Sequence, residues 1–355
     1  MRIFRTNPHT QTWNERSFRR LLACERDLVD RRGGACALLV LDTSRANRVE
    51  RTAFRRFLNS EARISDSVGH FRGDLAVLMR RTQPEGAEVF IRRIGEWLGV
   101  RGIEVGHQLL CYPDAEGGGG RELGPRSLEL AVPPPIESRP DSDDGRVAIS
   151  AFEACLVDEL SPGRRAIDVL VSGAALLGLA PLMAAVAVAM RLDSPGPVFY
   201  KQQRVGAGGR IFEFFKFRSM RADADRDQAG LANEKDGPIF KMRNDPRVTR
   251  VGRIIRRYSL DELPQLWNVL RGDMTLVGPR PQKPDEVVHY EPWQRRRLGL
   301  PGGLTCTWQV SGRSDVSFRE WMRMDCAYAS RRDAWTDLAL LARTVPALVT
   351  AKGAY

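Results

Sequence analysis

Hydrophobic positions divide the chain into three regimes. Over residues 1–113 they shift between helical and strand spacing. Asn14 to Asp30 puts Phe18, Leu21, Leu22 and Leu28 on one face and predicts a helix. Ala35 to Leu41 is a compact apolar run and predicts a buried strand. Arg48 to Ile64 predicts a second helix. Phe71 to Met79 predicts one arm of a hairpin, with Gly69 and Gly73 near its turn. An amphipathic helix over Ala87 to Leu98 and a strand over Ile103 to Cys111 complete an α/β unit. Residues 114–160 read as a linker, because glycines 117–120, prolines 133–135 and the stretch Pro140 to Gly145 are turn formers and charges.

The second regime is an apolar helix over about 166–190, without a charge from Val169 to Met190. That length can cross a bilayer. It has no polar stripe of the kind a half-buried helix carries. Pro181 lies at its middle, removes one backbone donor and crowds the Leu177 carbonyl, so a bend is expected there. Arg164 and Arg165 flank one end; Arg191, Lys201 and Arg204 lie beyond the other. Positive flanks on both sides mark neither end as outside. A helix that enters one leaflet, breaks at Pro181 and returns keeps both flanking domains on one side. A single crossing is the alternative.

The third regime completes a second domain, 161–355. Asp193-Ser-Pro-Gly-Pro197 stops the helix, and Val198 to Phe217 predicts a short hairpin with exposed cations. Arg247 to Tyr258 predicts a basic helix, and the last helices run from about Phe318 to Leu348.

Composition then narrows the partners. A chain of 355 residues has room for two cores, and 43% hydrophobic with 28% charged residues excludes wholesale disorder. The net charge of +11 favours anionic partners without choosing among nucleic acid, lipid and phosphorylated metabolites. No DNA- or RNA-reading motif accompanies that charge, so nucleic acid ranks last. The six cysteines have no C-x-x-C spacing and read as reduced thiols of a cytosolic protein; no signal peptide is evident.

The chemistry-bearing stretch is Arg256 to Pro281. Asp261 and Glu262 stand together between arginines, and Ser259-Leu-Asp-Glu262 also fits a capping box, in which Glu262 would close on Ser259. Arg256, Arg280, Lys216 and Arg218 add cations without matching acids, and a phosphate would complete the set.

Residues 162–355 resemble the bacterial sugar transferase family, the monotopic polyprenol-phosphate phosphoglycosyl transferases. The resemblance rests on ordered blocks: Arg165-Ala-Ile-Asp168, Asp193 to Tyr200, Gln203-Arg-Val-Gly206, Lys216-Phe-Arg-Ser-Met220 and Asp245-Pro-Arg-Val-Thr249. Ser259 to Gln265, Gly272 to Pro281, Pro301 to Thr305 and Trp308 to Arg313 continue it. Where the family often has Ser-Pro at its helix break, this chain has Ala180-Pro181.

The resemblance implies a mostly helical α/β monotopic domain on the cytoplasmic face of the bacterial inner membrane. It implies transfer of a sugar phosphate from a UDP-sugar, glucose or galactose, to undecaprenyl phosphate in exopolysaccharide assembly. Asp261 would be the nucleophile, with Glu262 beside it and Mg²⁺ held by Asp261 and Glu262. Lys216, Arg218, Arg256 and Arg280 would bind phosphate, and Pro181 would break the membrane helix.

Residues 1–113 resemble a degenerate GGDEF-type nucleotidyl-cyclase domain, with a ferredoxin-like fold implied. Asn14 to Phe18, Leu38 to Asp42 and Arg72-Gly-Asp-Leu-Ala76 carry this resemblance. Leu75 replaces an acid of the signature, so no cyclase activity is expected. Arg63-Ile-Ser-Asp66 falls at the R-x-x-D position of a cyclic di-GMP site. A bland ion pair, a dimerising role and a membrane-tethered, non-catalytic cyclic di-GMP receptor are the alternative readings.

Overall fold

The computed structural model describes residues 12–113 and 147–350, apart from 148, 159, 223, 225–232, 235, 241, 243 and 313–315. Mixed helix and sheet form two units. The linker expectation for 114–146 and the motif residue Arg313 lie outside the described residues.

The first unit runs α1 (Glu15–Arg32), β1 (Cys36–Asp42), α2 (Arg48–Glu61), β2 (Ser67–Phe71), β3 (Asp74–Arg80), α3 (Pro84–Gly99) and β4 (Gly106–Tyr112). The strands pair antiparallel in the order β2-β3-β1-β4, the split βαβ arrangement. Local signals start the helices. The Asn14 side chain accepts from the Ser17 amide, and Asn47 with Glu50 makes a full capping box. Strand β1 is buried on both faces. Leu38 and Val40 join one apolar cluster with Phe18 and Leu22; Leu39 and Leu41 join another with Phe54 and Leu58. Part of the expected linker 114–160 belongs to this unit. Helix α4 (Ala151–Cys155) opens with a Ser150–Glu153 capping box, and Phe152 packs on Tyr112 at 5.2 Å between ring centres. Its Phe152 and Cys155 are core side chains, which a turn-rich composition upstream conceals.

The second unit is led by α5 (Pro162–Asp193), 32 residues assigned as one helix through Pro181. At 1.5 Å per residue it is about 48 Å long. It is long and apolar enough to cross a membrane, and its middle is bare: Leu170 is 71% and Leu177 81% exposed. Strands β5 (Phe199–Val205) and β6 (Ile211–Phe217) form the expected hairpin. Helices α6 (Arg250–Arg257) and α7 (Gln265–Arg271) follow, then β7 (Met274–Val277), α8 (Pro284–Val287) and β8 (Gly302–Thr305). Strands β7 and β8 pair in parallel. Helices α9 (Thr307–Ser311), α10 (Phe318–Arg331) and α11 (Ala334–Thr350) close the unit.

Three polar contacts fasten α5. Arg165 donates to the carbonyls of Val269 and Leu270 at 2.6 Å each, satisfying the C-terminal end of α7. The buried Asp168 accepts from the Leu276 amide of β7 at 3.0 Å. At the other end Asp193 accepts from the Val251 amide, in the first turn of α6, at 2.9 Å. Thus one end of α5 holds α7 and the other holds α6.

Candidate active site

Asp261 and Glu262 sit on a 3-10 turn, Leu260–Glu262, between α6 and α7. Ser259 enters that turn with φ 55°, a left-handed conformation that costs a non-glycine residue about 1–3 kcal/mol and concentrates at functional sites. The capping-box alternative does not form. Ser259 makes no side-chain cap, and only its backbone carbonyl accepts from the Glu262 amide, at 3.2 Å. The Glu262 side chain reaches elsewhere. Arg280 grips it with two bonds, Nη2 to Oε1 at 2.5 Å and Nη1 to Oε2 at 3.1 Å, and Lys216 Nζ lies 3.4 Å from Oε1. Burial opposes its ionisation, but Arg280 and Lys216 together outweigh that and hold Glu262 down at about 2.

Asp261 is 7% exposed, and no side chain among the described residues hydrogen-bonds or ion-pairs with its carboxylate. Burial raises its pKa; Lys216, Arg256 and Arg280 pull the other way. Lys216 is pushed down to about 8 by burial, against the pull of Glu262. Arg256 donates to the Ser219 hydroxyl at 2.7 Å. A single ring organises three cations. Arg204, Lys216 and Arg280 lie 5.4, 5.4 and 6.0 Å from the centre of Phe214.

The structure brings together Asp261, Glu262, Lys216, Arg256 and Arg280 in the wall of one cavity of about 560 Å³. Its described lining holds eight basic and four acidic side chains, an excess suited to an anion. Arg218, expected to bind phosphate, also lines this cavity, where its Nε has no partner among the described residues. Its guanidinium donates to the carbonyls of Pro195 at 2.5 Å and Ser194 at 2.8 Å, and so locks the turn after α5. The reason is position: Arg218 follows the end of β6, where the chain leaves the sheet.

Arg280 is presented by a tight turn. A Cβ on Gly303 would stand 2.1 Å from the Gly278 nitrogen, and one on Gly302 would stand 2.3 Å from Pro281. The buried Arg297 donates to the Arg280 carbonyl and is itself clamped by Asp325 at 2.7 Å and Tyr290 at 2.7 Å.

The expected metal ligands fit in part. Mg²⁺ takes one or two carboxylates beside substrate oxygens. Asp261 can supply one, whereas both Glu262 oxygens are engaged by Arg280 and Lys216. Among the described residues no group of three or more His, Cys, Asp or Glu is arranged to hold a metal.

In the first unit, Asp66 organises a turn. It accepts from the amides of Arg63 at 3.2 Å and Arg80 at 3.3 Å, while the Arg63 side chain is exposed. The Arg63–Asp66 ion pair expected as the bland reading does not form among the described contacts.

Sequence reasoning missed Arg204 and Gln282, which also line the cavity, and Phe214, whose buried ring lies against three of the cations. A polar residue at every second position of β5 was the available signal.

A cationic cavity, a buried carboxylate without a side-chain partner among the described residues, and a long, exposed apolar helix belong to one unit. The chain belongs to the bacterial sugar transferase family: the profile described as Bacterial sugar transferase matches residues 160–351. The exopolysaccharide production protein ExoY of Sinorhizobium fredii is 38% identical over 198 residues, 54% of this chain and 88% of that protein. The galactosyl transferase CpsE of Streptococcus agalactiae is 44% identical over 162 residues, 45% of this chain and 36% of CpsE. The undecaprenyl-phosphate galactose phosphotransferase of Salmonella typhimurium is 42% identical over 201 residues, 54% of this chain and 41% of that protein. The chain therefore spans well under half of the latter two relatives.

Proposed function

We propose that the second unit transfers a sugar phosphate from a UDP-sugar to undecaprenyl phosphate through a covalent aspartyl intermediate. The observation that carries this is Asp261: a buried carboxylate, free of side-chain partners among the described residues, set in a ring of cations on a left-handed turn. An Asp261 oxygen attacks the phosphorus that bears the sugar. The bond from that phosphorus to the bridging oxygen breaks, and UMP leaves with the electron pair. An oxygen of undecaprenyl phosphate then attacks the same phosphorus, and Asp261 departs as a carboxylate. The products are UMP and an undecaprenyl diphosphate sugar.

Each neighbour has a part. Lys216, Arg256 and Arg280 offset the repulsion between carboxylate and phosphate. Glu262 holds Lys216 and Arg280 in place. Asp261 would help hold Mg²⁺, which would supply further charge neutralisation.

The membrane disposition follows from how α5 is fastened. Arg165 and Asp168 at one end and Asp193 at the other all bond to this same unit. A crossing helix cannot keep both ends on one water-facing body. This supports a monotopic, re-entrant placement on the cytoplasmic face of the inner membrane, beside the lipid acceptor. The names of the relatives and the Trp308 block favour galactose or glucose as the sugar.

The test is to incubate the full chain with UDP-sugars, Mg²⁺ and undecaprenyl phosphate and follow UMP. Asp261→Asn should lower its release by at least about a thousandfold. Mass spectrometry of donor-treated wild type should find a phosphosugar on the peptide holding Asp261. Undiminished UMP release by Asp261→Asn rejects the assignment.

A further inference from the structure

Strand β5 is polar on the side that faces inward. A strand packed on a core turns its apolar positions inward. Here the alternate residues Tyr200, Gln202 and Arg204 line the cavity, joined by the half-exposed Phe199 at the strand's start, while Lys201 and Gln203 are exposed. The inward row is chained: Arg204 Nη2 donates to Gln202 Oε1 at 2.6 Å, and Gln202 Nε2 donates to the Tyr200 hydroxyl at 3.2 Å. From beyond the strand, Arg204 Nη1 donates to the Pro281 carbonyl at 3.2 Å and lies 3.7 Å from Glu286 Oε2, beyond hydrogen-bond reach.

Four buried donors in the cavity wall are left over, Arg218 Nε and Trp308 Nε1 among them. Arg204 Nε and Gln282 Nε2 are buried and have no hydrogen-bond partner among the described residues. They are neighbours, because the Val205 amide donates to the Gln282 carbonyl at 2.8 Å. A buried donor without a partner costs stability, and two side by side in one cavity wall point to a missing acceptor. Arg204 lines the cavity, with its side chain 13% exposed. Burial brings its pKa down to about 10, against the pull of Glu286. Four neighbouring cations have partners of their own. Lys216 and Arg280 hold Glu262, Arg256 holds Ser219, and Arg218 holds backbone. Arg204 shares the Phe214 ring with Lys216 and Arg280, so it stands within a short reach of the acids.

We propose that Arg204 and Gln282 form a second phosphoryl-binding subsite, next to the position that Asp261 faces. The inference rests on the transfer reading above, in which a diphosphate donor presents two phosphoryl groups and only one is attacked. A guanidinium and an amide together match the oxygens of the other. The same chemistry would suit the phosphate of the incoming lipid, and the experiment separates the two sources.

The full chain in detergent is titrated with UDP, UMP and a polyprenyl phosphate, for wild type, Gln282→Leu and Arg204→Gln. UDP carries the extra phosphoryl group that UMP lacks. The subsite predicts tighter binding of UDP than UMP by wild type. Each variant should weaken UDP about ten- to hundredfold while UMP shifts less than about twofold. Selective loss of polyprenyl phosphate binding instead assigns the same subsite to the acceptor. Equal loss for all three ligands, or no change for any, overturns it. Gln282→Leu keeps the side chain's volume and removes only its amide, so it decides the matter if Arg204→Gln does not fold. Binding requires no turnover. An Asp261→Asn protein that still cleaved donor would reject the aspartyl step and leave this result standing.

Discussion

Lys216 should set the alkaline limit of donor use. Its ammonium is buried beside Glu262 and near Arg280 and Arg204, and desolvation brings its pKa from 10.5 to about 8. That drop corresponds to about 3 kcal/mol set against the charged form. The sign is direct. Below about pH 8 the ammonium is present and offsets phosphoryl charge; above it the site loses one positive charge. The ratio kcat/KM reports the free enzyme, so the phosphates of bound donor do not enter. For UMP release from a UDP-sugar, kcat/KM should be level to about pH 8 and then fall about tenfold per pH unit. Lys216→Arg keeps its charge across this range, so the falling limb should move beyond about pH 10. The fork is a poor substitute for a compact ammonium, and the plateau should drop about tenfold. A wild-type profile that stays level to about pH 10, or the same limb in Lys216→Arg, refutes the reasoning.

Two further substitutions separate support from chemistry. Arg218→Ala removes both bonds to the Ser194–Pro195 turn, and unfolding experiments should show a loss of about 3 kcal/mol while the KM for UDP-sugar moves less than about twofold. Gly303→Ala places a methyl group against the Gly278 backbone, where no side chain can rotate away. The turn presenting Arg280 must then shift, and UMP release should fall about a hundredfold; unchanged release would detach that turn from the chemistry.

The elements were legible wherever local pattern and burial agree. Asn14 caps α1 as its residue type suggests, and the continuous apolar run of β1 becomes a strand buried on both faces. The acids were legible only as a pair. A capping box is a local pattern, and Ser259-x-x-Glu262 satisfies it; the real partner of Glu262 lies 18 residues away at Arg280. Spacing cannot encode that contact, and it decides which acid stays open. Lys216 and Arg218 looked alike because both flank Phe217. One lies within β6 and meets Glu262; the other follows the strand's end and turns to backbone. The β5 row stayed hidden because a strand's inward face is expected to be apolar.

The fastening of α5 makes the exposed apolar helix and the Asp261 turn one mechanical unit. Helices α6 and α7 flank the Asp261 turn, and each is held by a different end of α5. Arg165 satisfies the Leu270 carbonyl and adds a second donor to the Val269 carbonyl at the end of α7, and Asp193 accepts from an amide at the start of α6. Both bonds are charge-assisted, so each is stronger than a bond between neutral groups. Moving either end of α5 therefore disturbs one side of a turn that already holds Ser259 in a left-handed conformation. A tether joined by a loose linker would leave that turn indifferent to the membrane. Here the apolar helix, bare around Leu170 and Leu177, is the frame on which the turn carrying Asp261 is mounted.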